Sequence, residues 1–187
     1  MQWDRRNDAL RIALDFPTGT LVGEHTTRVE AIQSEYAHTI VLKQESTDLT
    51  CVPYALELAN SLTYRAIAAD FDREVFAGSK FVEWLLNNRL CEVSHPTVGA
   101  LALYFSDAIW RHAGFVTDTS RITSKWGTFP VYDHDFWEVP ISYGDELRFF
   151  KRPSPEGALV LFLDYCRFER VSNKDIADIL AEVEKSQ

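Results

Sequence analysis

Asp48-Leu49-Thr50-Cys51-Val52-Pro53-Tyr54 opens a stretch in which apolar residues recur at Val52, Ala55, Leu56, Ala59, Leu62 and Ala66. That spacing lines one stripe of a helix against a core. Asp48 and Thr50 are good cap residues, and Pro53 is tolerated in a first turn, where its missing N–H is no loss. The segment therefore predicts a helix that begins at or beside Cys51. A thiol there meets free N–H groups and the positive end of a helix dipole, both of which favour the thiolate. Free cysteines are also commonly small buried hydrophobes, so Cys51 gains meaning only from its partners.

Gly99-Ala100-Leu101-Ala102-Leu103-Tyr104-Phe105 is an apolar run of strand length. After the polar break at Ser106-Asp107, residues 111–118 form a second strand, which predicts a hairpin. Within Arg111-His112-Ala113-Gly114-Phe115-Val116, alternation points His112, Gly114 and Val116 to one face and Ala113 and Phe115 to the other. Gly114 would let a neighbouring backbone or a substrate come close. Thr119-Ser120 then turns the chain into a strand over residues 121–127, whose Ile122, Ser124 and Trp126 share a face. Ser124 is thereby expected beside His112.

This order resembles the NlpC/P60 and CHAP group of papain-like cysteine peptidases and amidases, over residues 48–150. The resemblance implies an α+β fold, with the cysteine-bearing helix packed on a small antiparallel sheet. It also implies that Cys51 is the nucleophile, His112 the base and Ser124 the residue orienting the imidazole. Two positions depart from the group's pattern. The acidic residue usually found just before the cysteine is displaced to Asp48, and serine orients an imidazole more weakly than histidine, asparagine or aspartate. His134 and Asp133 are the alternatives for the third role, and Tyr54, one turn into the helix, is a possible hydroxyl donor. The implied activity is hydrolysis of an amide bond in a peptide or amide substrate. An acyltransferase or deamidase built on the same dyad, or a non-catalytic papain-like binding or immunity module, would share these residues.

Residues 124–144 are dense in aromatic and polar side chains and read as a long loop returning to the sheet at Glu146-Leu147-Arg148-Phe149-Phe150. Ordered loops over a scaffold often wall a binding site, so Trp126, Trp137 and Tyr143 are candidates to line a cleft. The same aromatics would equally serve to pack the loop onto the body.

The chain of 187 residues fits one domain with a sizeable core. Residues 1–47 are expected as an extension packed on that domain, with a helical start and strand-like stretches at residues 20–24 and 37–43. Ser79 caps a helix carrying Phe81, Val82, Leu85 and Leu86. Arg152-Pro153-Ser154-Pro155-Glu156-Gly157 reads as a linker-like break. Beyond it, residues 158–187 hold an apolar run of undecided type and a helix announced by Ser172-Asn173-Lys174-Asp175.

Nineteen Lys and Arg against 28 Asp and Glu leave a net charge of −9. Sequence-independent binding to nucleic acid or to an anionic membrane needs clustered positive charge, so neither is an expected partner. The cysteines Cys51, Cys91 and Cys166 are odd in number and form no disulfide framework, which favours a reducing compartment. Met1-Gln2-Trp3-Asp4-Arg5-Arg6 leads into no signal-peptide pattern, and no apolar run is long enough to span a bilayer, so a cytoplasmic location is expected. Peptidoglycan, the usual substrate of the resembled group, lies elsewhere. A phage lysin, a toxin exported by a dedicated machine or an intracellular hydrolase would each reconcile the two. No Cys and His spacing suits zinc, and neither a phosphate-binding glycine loop nor a G-x-S-x-G elbow is present. No cofactor and no metal are expected, and cysteine chemistry is the specific enzymatic proposal that remains.

Overall fold

The hairpin at the centre of the sheet forms where alternation and turn chemistry agree. The computed structural model describes residues 6–17, 19–45, 49–70, 75–87 and 89–185. Strands β3 (Leu101–Ser106) and β4 (Ile109–Asp118) pair with Leu103 opposite Ala113 and Tyr104 opposite His112. Asp107 and Ala108 link them, both at positive φ (51° and 62°), the geometry of a two-residue turn matching the twist of the strands.

Around this hairpin the described residues form a seven-stranded antiparallel sheet in the order β1-β6-β5-β4-β3-β7-β2. The remaining strands are β1 (Val41–Gln44), β2 (Glu92–Val93), β5 (Arg121–Lys125), β6 (Val131–Asp135) and β7 (Glu146–Phe150). The helices are α1 (Asp8–Ala13), α2 (Val22–Ile32), α3 (Cys51–Ala55), α4 (Leu62–Ala68), α5 (Ser79–Leu86), α6 (Pro155–Phe168) and α7 (Asn173–Lys185). The molecule is α+β.

Each face of the sheet has its own core. Leu101, Leu103, Ala113 and Phe150 pack with residues of α3 to α6, among them Val52, Phe81 and Phe162. Ala102, Tyr104, Val116, Ile122 and Tyr132 face the other way and are covered by Leu10 and Leu14 of α1 and the following residue, and by Val29 of α2. The alternation of β3 and β4 therefore divides the cores, and each fully buried aromatic or leucine contributes about 1.5–3 kcal/mol to holding its layer. The N-terminal segment is part of this body, because β1 pairs with β6.

Several sequence expectations change in three dimensions. The helix read from Cys51 to Ala66 is broken: Glu57 adopts a left-handed conformation (φ 57°), a 3-10 turn follows at Leu58–Asn60, and α4 restarts with Ser61 accepting from the Tyr64 N–H at 3.2 Å. Arg152 seals the end of α3 by donating to the Ala55 carbonyl at 2.6 Å, a cation at a helix C-terminus. Residues 20–24 run into α2 instead of a strand, since His25 and Val29, four apart, are buried on one side. Of residues 37–43 only the end enters β1. The long loop after Ser124 contains β6, whose pairing with β5 satisfies its backbone. The linker-like break is the cap of α6, with Ser154 accepting from Gly157 and Pro155 at the first helical position. The predicted start at Ser172 is present, its hydroxyl accepting from the Asp175 N–H at 3.1 Å. Among the described residues no helix is long and apolar enough to cross a membrane.

Candidate functional site

Cys51 is the first residue of α3 and is 7% exposed. Thr50, at the cap position, makes no side-chain cap bond, and Asp48 lies outside the described residues. Five residues give too short a helix for a strong dipole, so the groups that act on the thiol are individual N–H donors. The backbone N–H groups of Ala113, Cys51 and Val52 face the sulfur, and the Lys125 ammonium is near enough to favour a thiolate. Burial outweighs all four and pushes the thiol up to about 11.

The Ala113 N–H is available for a structural reason. Val116 exchanges backbone bonds with Gly99 and Ala100 on the β3 side, so alternation turns the Ala113 N–H towards β5. The register between β4 and β5 stops at Gly114 opposite Ser124. Beyond that pair the edge of β4 is open, and the Cys51 thiol meets it beside the peptide unit joining His112 to Ala113. Gly114 allows the close approach of the two strands: a Cβ there would stand 2.6 Å from Ile122 and 2.8 Å from Ser124. The close neighbour anticipated at this glycine is thus β5.

His112 is 1% exposed and lies on the α1 side of the sheet. Its ring stacks on Tyr143 with centroids 3.9 Å apart and planes 15° from parallel, and Tyr104 stands 5.7 Å away. Its Nε2 is buried without a hydrogen-bond partner. Burial, with His134 nearby, holds the imidazole well below its ordinary pKa. Among the described residues no hydrogen bond joins Cys51 to His112, and burial keeps the one a thiol and the other a neutral imidazole.

Ser124 does not bond His112. Its Oγ lies 2.8 Å from Nε2 of His134 and accepts from Trp126 Nε1 at 3.1 Å. His134 Nδ1 is 2.8 Å from the Asp135 carbonyl, which can only accept. Nδ1 therefore carries the proton, and Ser124 donates to Nε2. Burial holds His134 down at about 4, against the opposing pull of that carbonyl. His134 thus sits one hydrogen bond behind Ser124.

Asp133 is occupied elsewhere. It faces Arg121, Thr117 and Thr123 and accepts from all three. Burial raises its carboxyl, and these donors overcome that and bring it below its usual value. Alternation with His134 places it on the opposite side of the sheet from His112, so it does not orient the ring. Tyr54 lies on the α3 side against Phe115, with centroids 6.0 Å apart. Of the two roles open to the loop aromatics, Trp126 and Trp137 take the packing one as buried core residues; Trp126 bonds Ser124, and Tyr143 is the one stacked on His112.

Two residues escaped the sequence reading. Lys125 is fully buried, its Nζ donating to the carbonyls of Gly127 at 3.1 Å and Phe129 at 2.7 Å. Alternation from Ser124 was enough to place it on the α3 side. Arg11, buried in α1, carries no such local signal. Among the described residues no group of three His, Cys, Asp or Glu side chains converges to hold a metal. No family model, no curated protein and no solved structure matches this chain.

Proposed function

We propose that this protein is a papain-like cysteine hydrolase of the NlpC/P60 and CHAP type, cleaving an amide bond in a peptide or amide substrate. One observation carries it: the Cys51 thiol lies at the open edge of β4 beside the peptide unit of His112, facing three backbone N–H groups. Those donors suit a thiolate and then the oxyanion of a tetrahedral adduct. His112, with Nε2 buried and unpartnered, takes the thiol proton as the sulfur attacks the carbonyl. The imidazolium returns that proton to the leaving amine, and water releases the acyl group. Because the resting thiol and imidazole are both neutral, proton transfer accompanies attack and no ion pair precedes it.

The competing reading is a non-catalytic module of the same build. It is favoured by the burial of both groups and by the commitment of the Ser124 hydroxyl to His134. Turnover on a panel of peptides, peptidoglycan fragments and simple amides separates the two. Hydrolysis lost in Cys51→Ala and in His112→Ala supports the enzyme. Ligand binding by a wild type that turns over no substrate supports the module.

A further inference from the structure

The His112 ring is held from an unexpected direction. Tyr143 stacks flat on it and presents its edge to Trp126 at 6.3 Å. Tyr143 belongs to the 3-10 turn Ile141–Tyr143, within a segment that makes local bonds from Tyr143 to Pro140 and from Gly144 to Ile141. Such a turn has little hold on the sheet by itself, although Asp145 donates to the Phe105 carbonyl at 2.9 Å.

The stronger hold comes from the N-terminal segment. Arg11 of α1, 1% exposed, donates through Nε to the Val139 carbonyl at 3.3 Å and through a terminal nitrogen to the Gly144 carbonyl. Its guanidinium bridges the two ends of the turn, over the Trp137 ring at 5.3 Å. A second tie runs from the Ser142 hydroxyl to Asp15, just past α1, at 2.6 Å. A fully desolvated guanidinium costs free energy, and its partly compensating ion pair is with an exposed Asp8 at 3.8 Å. What it secures is geometric, since a planar fork sends separate N–H groups to the two carbonyls in a fixed arrangement, where an ammonium offers a single nitrogen on a flexible stem.

We propose that Arg11 is a positioning residue for His112, acting through Tyr143. It clasps residues 139–144 so that Tyr143 lies on the imidazole, which makes α1 the fastening of the candidate site. The proposal rests on the pairing of Cys51 with His112 for its importance to turnover, and on the clasp alone for its geometry. Release of the clasp frees the ring to turn and opens a path to the thiol.

The test reads the stack directly. An aromatic ring lying over an imidazole moves the imidazole ring-proton resonances upfield. In protein carrying ring-labelled histidine, the signal lost in His112→Gln assigns the residue. Arg11→Ala is expected to return that signal towards the value of a free neutral imidazole, Tyr143→Leu to do the same, and Tyr143→Phe to leave it in place. Arg11→Lys is expected to lie between wild type and Arg11→Ala. In a Cys91→Ser background, alkylation of Cys51 by iodoacetamide should quicken about tenfold in Arg11→Ala, the ratio that about 1.4 kcal/mol of easier opening gives. A folded Arg11→Ala protein with an unmoved His112 signal overturns the proposal. Should Arg11→Ala not fold, the Asp15→Asn, Ser142→Ala double variant loosens the second tie and decides by the same signal. Wild-type protein that turns over no amide, with the signal shift still dependent on Arg11, leaves the clasp standing and removes the hydrolase.

Discussion

The Ser124 hydroxyl donates to Nε2 of His134 across adjacent strands at 2.8 Å, and His134 in turn donates to the Asp135 carbonyl. The residue expected to orient His112 is thus itself oriented by a second histidine. Ser124→Ala leaves the Trp126 N–H and His134 Nε2 buried without that partner, at about 1–3 kcal/mol for each unsatisfied group. The two residues should show coupling of about 0.5–3 kcal/mol in a double-mutant cycle of unfolding with His134→Ala. Additive effects would mean that the hydrogen bond does not form in solution.

Thiol reactivity in the folded protein should follow exposure. Cys91 is exposed, whereas Cys51 and Cys166 are buried and pushed up to about 11 and about 12. The helix-start position of Cys51, which by itself favours the thiolate, is outweighed by burial in the resting state. Iodoacetamide at neutral pH should label Cys91 first, with Cys51 following only as the structure opens. Mass spectrometry of timed samples settles the order, and Cys51 labelled ahead of Cys91 would show a more open site.

Stability should fall on mild acidification. Burial lowers His25 and His134 from 6.5 to about 4 and holds His112 well below its ordinary value. Between about pH 6.5 and 4 the unfolded chain binds protons at these rings and the folded one does not. Their contribution is complete above pH 6.5 and is lost as the pH falls, by up to about 1.4 kcal/mol per pH unit for each ring. Asp133, lowered by its donors, adds a loss only below about pH 3.8. Urea unfolding at a series of pH values checks this, and a flat profile from pH 6.5 to 5 contradicts it.

Gly114→Ala should destabilise by about 1–3 kcal/mol, the usual cost of forcing a methyl into packed structure. The new carbon would press on Ile122, on Ser124 and on the Thr123 carbonyl at 2.9 Å. Thermal unfolding measures the loss, and an unchanged Tm would show that β4 and β5 separate readily at this point.

Asp133→Asn tests a role that the fold removes from the site. Its carboxylate gathers Arg121, Thr123 and Thr117, and Arg121 also donates to the Thr39 carbonyl at 2.9 Å. The substitution should cost about 1.5–3 kcal/mol, the worth of hydrogen bonds to a charged group. Turnover per folded molecule should stay at the wild-type level, and a selective fall in kcat would return Asp133 to the catalytic set.

The hairpin of β3 and β4 was readable because the face a strand residue presents is local, and alternation also shares a face among Ile122, Ser124 and Trp126; the turn itself falls at Asp107 and Ala108 and β4 begins at Ile109, ahead of the expected residue 111. The start of α3 at Cys51 was readable for the same reason, since Pro53 acts within the first turn. The end of that helix was not, because Arg152, nearly a hundred residues away, binds the Ala55 carbonyl. Nor was the partner of Ser124, since β6 supplies His134 through strand pairing that no spacing reveals. Arg11 is the plainest case. On its own helix it reads as a surface charge, and the carbonyls of Val139 and Gly144 that hold it underground are more than a hundred residues along the chain. Periodicity and caps act over a few residues and can be read from the order of the chain. Burial, and with it the pKa of Cys51 and His112, is decided by what the rest of the chain lays over them.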